Sequence, residues 1–224
     1  MPAGKSHLRG QVMRYAISDI HGCVKTLSAL LHKLALTSDD ALYILGDSID
    51  RGPDSKAVLD ILMSLPNAVC LKGNHEDLVI KAHDNPDREW NYWLNVGGRA
   101  TLESFGGRVP KKYLDFLRRL PCIIQLPDFY LCHADISSAG DPMQTPESVL
   151  LWGGRTNTAG LALPGGRRVV SGHDSTPLEE IRASLTRNKI VIDGGCVYIG
   201  EEGFGHLVAL RLDDMELFVQ ENLE

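Results

Sequence analysis

The sequence holds little that would staple, anchor or electrostatically coat a protein. Its five cysteines, Cys23, Cys70, Cys122, Cys132 and Cys196, are odd in number, and none forms a CxxC pair. That spacing excludes a thiolate zinc knot and a disulfide framework, and it suits a reducing compartment. Long apolar runs are absent: the longest, Ala41 to Leu45, falls far short of the roughly 20 residues that span a bilayer. Positive charge is in deficit, with 23 lysines and arginines against 29 acids and a net charge of -6, which argues against broad neutralisation of nucleic-acid phosphates. A small anionic ligand held locally is compatible with that balance. The opening MPAGKSHLRG lacks the apolar stretch of a secretory signal, so residues 1–11 read as a flexible extension and the cytoplasm as the location. What is present is ordinary for a globular chain: 224 residues, 43% hydrophobic, enough to bury roughly 70% of the unfolded surface in one domain, residues 12–224.

One local grammar recurs three times in the first half. Val12 to Ile17, Ala41 to Leu45 and Ala68 to Leu71 are apolar runs of strand length, and each ends in a charged, glycine-containing turn: SDIHG, GDSIDRG and KGNHE. Lys25 to Leu36 spaces Leu27, Leu30, Leu31 and Leu34 as an amphipathic helix. Ser55 to Leu65 is a second helix, with Asp54 or Ser55 to cap it. Strand, charged loop and helix in succession predict a layered α/β domain with its chemistry at the carboxyl ends of the strands. Helices are expected over Leu78 to Asn95 and Lys111 to Leu120, with the glycines of VGGRATLESFGG marking a tight connection between them. In the second half Phe129 to Cys132, Arg168 to Val170, Lys189 to Asp193, Cys196 to Ile199, Leu207 to Leu212 and Leu217 to Gln220 are short strand candidates. Their Gly, Asp and Pro punctuation predicts hairpins. Residues 140–167 are longer than most connections without a task, and read as an ordered wall or a lid.

A lone Asp and His at one strand end is explained equally well by a capped turn. Here five strand ends carry such groups: Asp19 with His21, Asp47 with Asp50, Asn74 with His75, then His133 and His173. Imidazole mixed with carboxylate and amide suits Mn, Fe or Zn. The donors are too many for one tetrahedral ion and fit a two-metal site with a bridging carboxylate. Arg51, and Arg155 in LWGGR, can hold phosphoryl oxygens bidentately, and His75 beside Asp50 suits proton transfer near neutral pH.

Five ordered motifs, SDIHG (18–22), GDSIDRG (46–52), GNHE (73–76), CHAD (132–135) and SGHD (171–174), resemble those of the calcineurin-like metallophosphoesterases, within them the phosphoprotein phosphatases. In length and in the His-Ala-Asp form of the fourth motif the chain is most similar to the bacteriophage lambda type of protein phosphatase and small bacterial serine/threonine phosphatases. The resemblance implies a sandwich of two mixed β-sheets flanked by helices. It also implies two divalent ions, Mn foremost: Asp19, His21 and the bridging Asp47 on one, Asp47, Asn74, His133 and His173 on the other. His75 would be the general acid, oriented by Asp50, and Arg51 a phosphate ligand. Arg155 carries over less directly, because its spacing admits Arg99 as an alternative.

The implied activity is direct water attack on phosphoserine and phosphothreonine monoesters of proteins or peptides, with reach to phosphotyrosine. No HCxxxxxR loop is present to form a cysteinyl phosphoenzyme. The same motifs resemble those of symmetrical diadenosine tetraphosphatases, so a dinucleoside polyphosphate is the alternative substrate. Trp90, Tyr92, Trp93 and Phe105 then offer base stacking or, alternatively, core packing. A noncatalytic scaffold would show lost ligands, and none is lost. No nucleic acid or membrane partner is expected. Departures from the family pattern are Ser18 in the first motif, Asp174 after the Gly-His pair and Gly194 in IDGG; none removes an expected ligand. Cys23 reads as a small apolar residue under the first helix.

Overall fold

The structure, a computed structural model, describes residues 12–137, 140–154 and 163–224. The expected extension at 1–11 and part of the expected wall or lid lie outside the described residues. Strands β1 (Arg14–Ile17), β2 (Ala41–Ile44) and β3 (Ala68–Cys70) alternate with helices α1 (Val24–Leu34) and α2 (Ser55–Ser64). They pair in parallel, with Ile17 opposite Ile44 and Ile44 opposite Cys70. That register brings the three carboxyl ends to one edge, which is why the three charged turns meet. Two antiparallel strands, β8 (His206–Arg211) and β9 (Leu217–Glu221), extend this sheet in the order β3-β2-β1-β8-β9. The second sheet runs β4-β5-β6-β7, from β4 (Ile123–Gln125), β5 (Phe129–Cys132), β6 (Arg168–Ser171) and β7 (Lys189–Val191). Both sheets are mixed, as the resemblance implied.

Apolar residues on both faces of β1 and β2 explain their near-continuous hydrophobicity. Tyr15, Ile17, Leu42 and Ile44 pack against Leu27, Leu30 and Val58 of α1 and α2. On the opposite face Ala16 joins Leu45, Leu71, Leu131, Val170 and Ile190 in the layer between the sheets. Each fully buried Leu or Ile there contributes about 1.5–3 kcal/mol relative to exposure. Asp54 is the residue that caps α2, accepting from the Ala57 amide at 2.9 Å.

Four expectations are corrected. The second sheet is not built from hairpins alone: β5, β6 and β7 are parallel, in keeping with β5, buried at all four residues. Cys196 to Ile199 is a turn; the amides of Gly195 and Tyr198 bond within it, to Asp193 Oδ1 and Gly195 O, so no ladder forms. The VGGRATLESFGG stretch is largely helical. Helix α3 (Asn74–Asp84) is followed by α4 (Pro86–Trp93), a wide π-type turn over Leu94–Gly98, and α5 (Arg99–Ser104), before α6 (Lys111–Arg118). Gly97, at φ 131°, absorbs the kink, and Gly98 lies so close under the Trp93 ring that a Cβ would collide with it. Helix α3 also begins inside the GNHE motif rather than at Leu78, with Glu76 at its third position bonded back to the Gly73 amide at 2.8 Å. Two further short helices, α7 (Glu147–Trp152) and α8 (Leu178–Ser184), have no counterpart in the sequence reading.

Candidate active site

The loops after β1, β2, β3, β5 and β6 converge on one buried cluster. Asp19, His21, Asp47, Asp50, Arg51 and His173 all adopt φ between 48 and 70°, a conformation costly for residues with a Cβ. Six side chains in strained loops at one edge mark a place where the surrounding contacts override local preference. The loops also touch: the His21 amide donates to Asp47 O at 2.9 Å, and the Gly172 amide to His133 O at 2.8 Å. Glu76 ties two of them together, its carboxylate accepting from the amides of Asp47, Ser48 and Gly73, each at 2.8 Å.

Each inner imidazole is oriented from behind. His21 Nδ1 lies 2.9 Å from Ile49 O and His133 Nδ1 2.9 Å from Leu45 O, so each Nδ1–H donates to a carbonyl and turns its Nε2 inward. His133 Nε2 then stands 2.8 Å from Asn74 Oδ1 and 3.4 Å from Asp47 Oδ1. His173 Nδ1 lies 3.1 Å from Asn74 Oδ1 and 3.2 Å from His133 Nε2. His21 Nε2 is 3.7 Å from Asp47 Oδ2. Two triads of donors, His21–Asp47–His75 and Asp47–His133–His173, have mutually close atoms and share Asp47. Asp19 closes the far side, its carboxylate accepting from Ser18 Oγ and, at 3.1 Å, from the His173 amide.

The electrostatics fit cations. Burial, with the neighbouring carboxylates Asp193 and Asp47, raises Asp19 well above the usual carboxylate range, and burial with Glu76 does the same to Asp47. Burial and then a neighbouring histidine, His75 for His21 and His173 for His133, push these two imidazoles well below their ordinary value. The result is a dense set of buried oxygen and neutral nitrogen donors whose carboxylates repel one another, an arrangement that divalent ions would stabilise.

Beside this cluster His75 Nδ1 meets Asp50 Oδ2 at 2.8 Å, and both residues are almost wholly buried. Burial pushes the Asp50 carboxyl up to about 7 and holds His75 down to about 3. Asp50 is further held by Trp93 Nε1 at 2.9 Å and Thr101 Oγ1 at 2.5 Å. Arg51 is exposed, with Nη1 3.0 Å from His21 Nε2 and 3.5 Å from the Tyr198 hydroxyl.

All six expected metal ligands, together with His75, Asp50 and Arg51, therefore come together. Arg155 lies outside the described residues. Arg99 is exposed at the start of α5. The sequence reading missed Glu76, Trp93 and Thr101. The Glu of GNHE stood in a motif and was the one open signal; Trp93 and Thr101 gave none, because only the fold brings them to Asp50. Of the aromatic cluster, Trp93 is buried, Trp90 and Phe105 pack onto the same helical core, and Tyr92 alone is exposed, at 50%.

The family profile described as calcineurin-like phosphoesterase matches residues 15–202. A serine/threonine-protein phosphatase 2 of Escherichia coli K12 is 27% identical over 92% of this chain and 84% of its own. A symmetrical bis(5'-nucleosyl)-tetraphosphatase of Vibrio vulnificus CMCP6 is 33% identical over 57% of this chain, and the match takes in 46% of that protein. In solved structures, one assigned provisionally to the diadenosine tetraphosphatases superposes with a TM-score of 0.74 at 22% identity over 96% of both chains. A Saccharomyces cerevisiae protein serine/threonine phosphatase gives 0.64 at 15% identity, over 96% of this chain and 82% of that one. These two likenesses are of fold.

Proposed function

The chain belongs to the calcineurin-like phosphoesterase family, and from that premise we propose that it hydrolyses phosphoserine and phosphothreonine monoesters on proteins or peptides. Asp47 carries the reading: one buried carboxylate shared between two triads of metal-competent donors. In this proposal Asp19, His21 and Asp47 hold one divalent ion and Asp47, Asn74, His133 and His173 the other, with Mn preferred and Fe or Zn compatible with the donors. Two such ions, when bound, would supply Lewis-acid stabilisation of the phosphoryl group and a water of lowered pKa.

The protein's own groups do the rest. His75 Nε2 gives its proton to the departing alkoxide while Asp50 fixes the ring at Nδ1. Arg51, exposed beside His21, grips nonbridging phosphoryl oxygens as a planar fork. Arg51→Lys is therefore expected to lower kcat/KM by about tenfold to a hundredfold, the worth of a charged hydrogen bond, without moving the unfolding midpoint. Native kinetics in that variant would leave Arg51 only its contacts with His21 and Tyr198.

For the substrate, the protein phosphatase reading is supported by the E. coli relative, whose alignment runs nearly the length of both chains. Dinucleotide cleavage is supported by the higher identity of the Vibrio tetraphosphatase. Against base stacking, Trp93 is spent on Asp50, and Arg167 and Arg168 donate to the carbonyls of Leu126 and Arg187, which engages these two cations at the amino end of β6, opposite the end that leads to His173. The deciding experiment compares a phosphothreonine peptide, a phosphotyrosine peptide and diadenosine tetraphosphate, at one saturating metal concentration and fixed ionic strength. The phosphothreonine peptide is expected to have the highest kcat/KM. A tenfold advantage for the dinucleotide, about 1.4 kcal/mol at the transition state, would withdraw the protein phosphatase assignment.

A further inference from the structure

The segment from Pro86 to Ser104 has no part in the chemistry proposed above, yet it reaches the centre of the site. Both oxygens of the Asp50 carboxylate are engaged from it: Oδ1 accepts from Thr101 Oγ1 at 2.5 Å, and Oδ2 accepts from Trp93 Nε1 at 2.9 Å. The Asp50 amide donates to Thr101 Oγ1 and to Ser55 Oγ, both at 3.0 Å, and these two hydroxyls are 2.9 Å apart. Arg51 is tied to the same segment, its amide donating to Gly97 O at 3.1 Å. Asp50, Trp93 and Thr101 are each 0 or 1% exposed, so water cannot replace a missing donor without rearrangement. The wide turn over Leu94–Gly98 lets helices α4 and α5 present an indole N–H and a hydroxyl to one carboxylate. A regular helix through the same residues would place its side chains on a different spacing.

We infer that Trp93 and Thr101 are positioning residues that hold the Asp50 carboxylate in the one orientation in which it aligns His75. The inference rests on the general-acid reading of His75. A carboxylate held at both oxygens keeps its remaining lone pair on the Nδ1 side of the ring and resists rotation about its own χ2. His75 Nε2 is thereby kept facing the cluster, 3.9 Å from Asp47 Oδ2. The aromatic segment that invites a base-stacking interpretation is, on this account, a buttress for the acid.

The test pairs Trp93→Phe, which keeps an aromatic ring and removes the donor, with Thr101→Val, which keeps the shape and removes the hydroxyl, and with Thr101→Ser, which restores it. Each is assayed, metal-saturated, on an alkyl and on an activated aryl phosphomonoester, beside His75→Asn. Thr101→Val and Trp93→Phe are expected to lose roughly tenfold in kcat on the alkyl ester, with KM near native and the aryl ester little affected. Thr101→Ser should recover most of the loss. Should Trp93→Phe fail to fold, the Thr101 pair carries the test alone. Equal losses on both esters, or none, in Thr101→Val while His75→Asn remains leaving-group selective would overturn the inference and spare the general acid. Loss of selectivity in His75→Asn itself would remove the general-acid reading and this inference with it.

Discussion

His75→Asn is expected to slow hydrolysis of an alkyl phosphomonoester by about 10²–10⁴-fold, the usual contribution of a positioned general acid, while an activated aryl ester loses far less. An alkoxide leaves poorly without a proton; a nitrophenolate is already a weak base and gains little from one. The contrast separates two roles that the geometry places side by side, because His75 Nε2 also lies within the donor triad of His21 and Asp47. A ligand would show itself differently: its loss lowers metal content and harms both esters alike, as is expected of His133→Asn. Turnover on the two esters should be measured together with metal stoichiometry. Equal losses on both, or a lost ion in His75→Asn, would make His75 a ligand and leave the acid unassigned.

Asp135→Ala is expected to reduce the unfolding free energy by about 3–5 kcal/mol, the cost of leaving one partner of a buried ion pair uncompensated. Asp135 belongs to the CHAD motif, yet its Oδ2 pairs with Lys189 Nζ at 3.0 Å, with the two side chains 0 and 3% exposed. Its other oxygen accepts from the Ile136 amide at 2.8 Å. Removing the carboxylate strands an ammonium at the first residue of β7, beneath the loop that carries His133. Urea denaturation should show a lower midpoint at unchanged slope. The double variant Asp135→Leu, Lys189→Met should recover much of the loss, since neither member of the pair is then left behind as a buried charge. A loss below about 1 kcal/mol in Asp135→Ala would mean that water reaches the pair.

The reach of the sequence can be followed residue by residue. Apolar runs that ended in Asp, His and Asn determined that the chemistry sits at the strand ends, because parallel strands in register deliver their carboxyl ends to one edge. Asp19, His21, Asp47, Asn74, His133 and His173 were legible for that reason: each lies within three residues of the end of its apolar run or just beyond it, and the local pattern is enough. The helical spacing of Leu27, Leu30 and Leu34 likewise settled which face of α1 is buried. Glycine misled, since it is permissive rather than prohibitive. It ended a helix in the reading of residues 96–107, whereas in the fold it lets the chain pass under the Trp93 ring. What only the tertiary structure decided are pairings between distant positions. Trp93 and Thr101 stand 43 and 51 residues from the carboxylate they hold, and nothing in the periodicity of α4 or α5 reports that partner. Periodicity tells which face of an element leaves water; it does not tell which buried polar atom it meets there. That is set by how the helices pack over the sheets, because a polar group removed from water must find its hydrogen bond wherever packing has placed one.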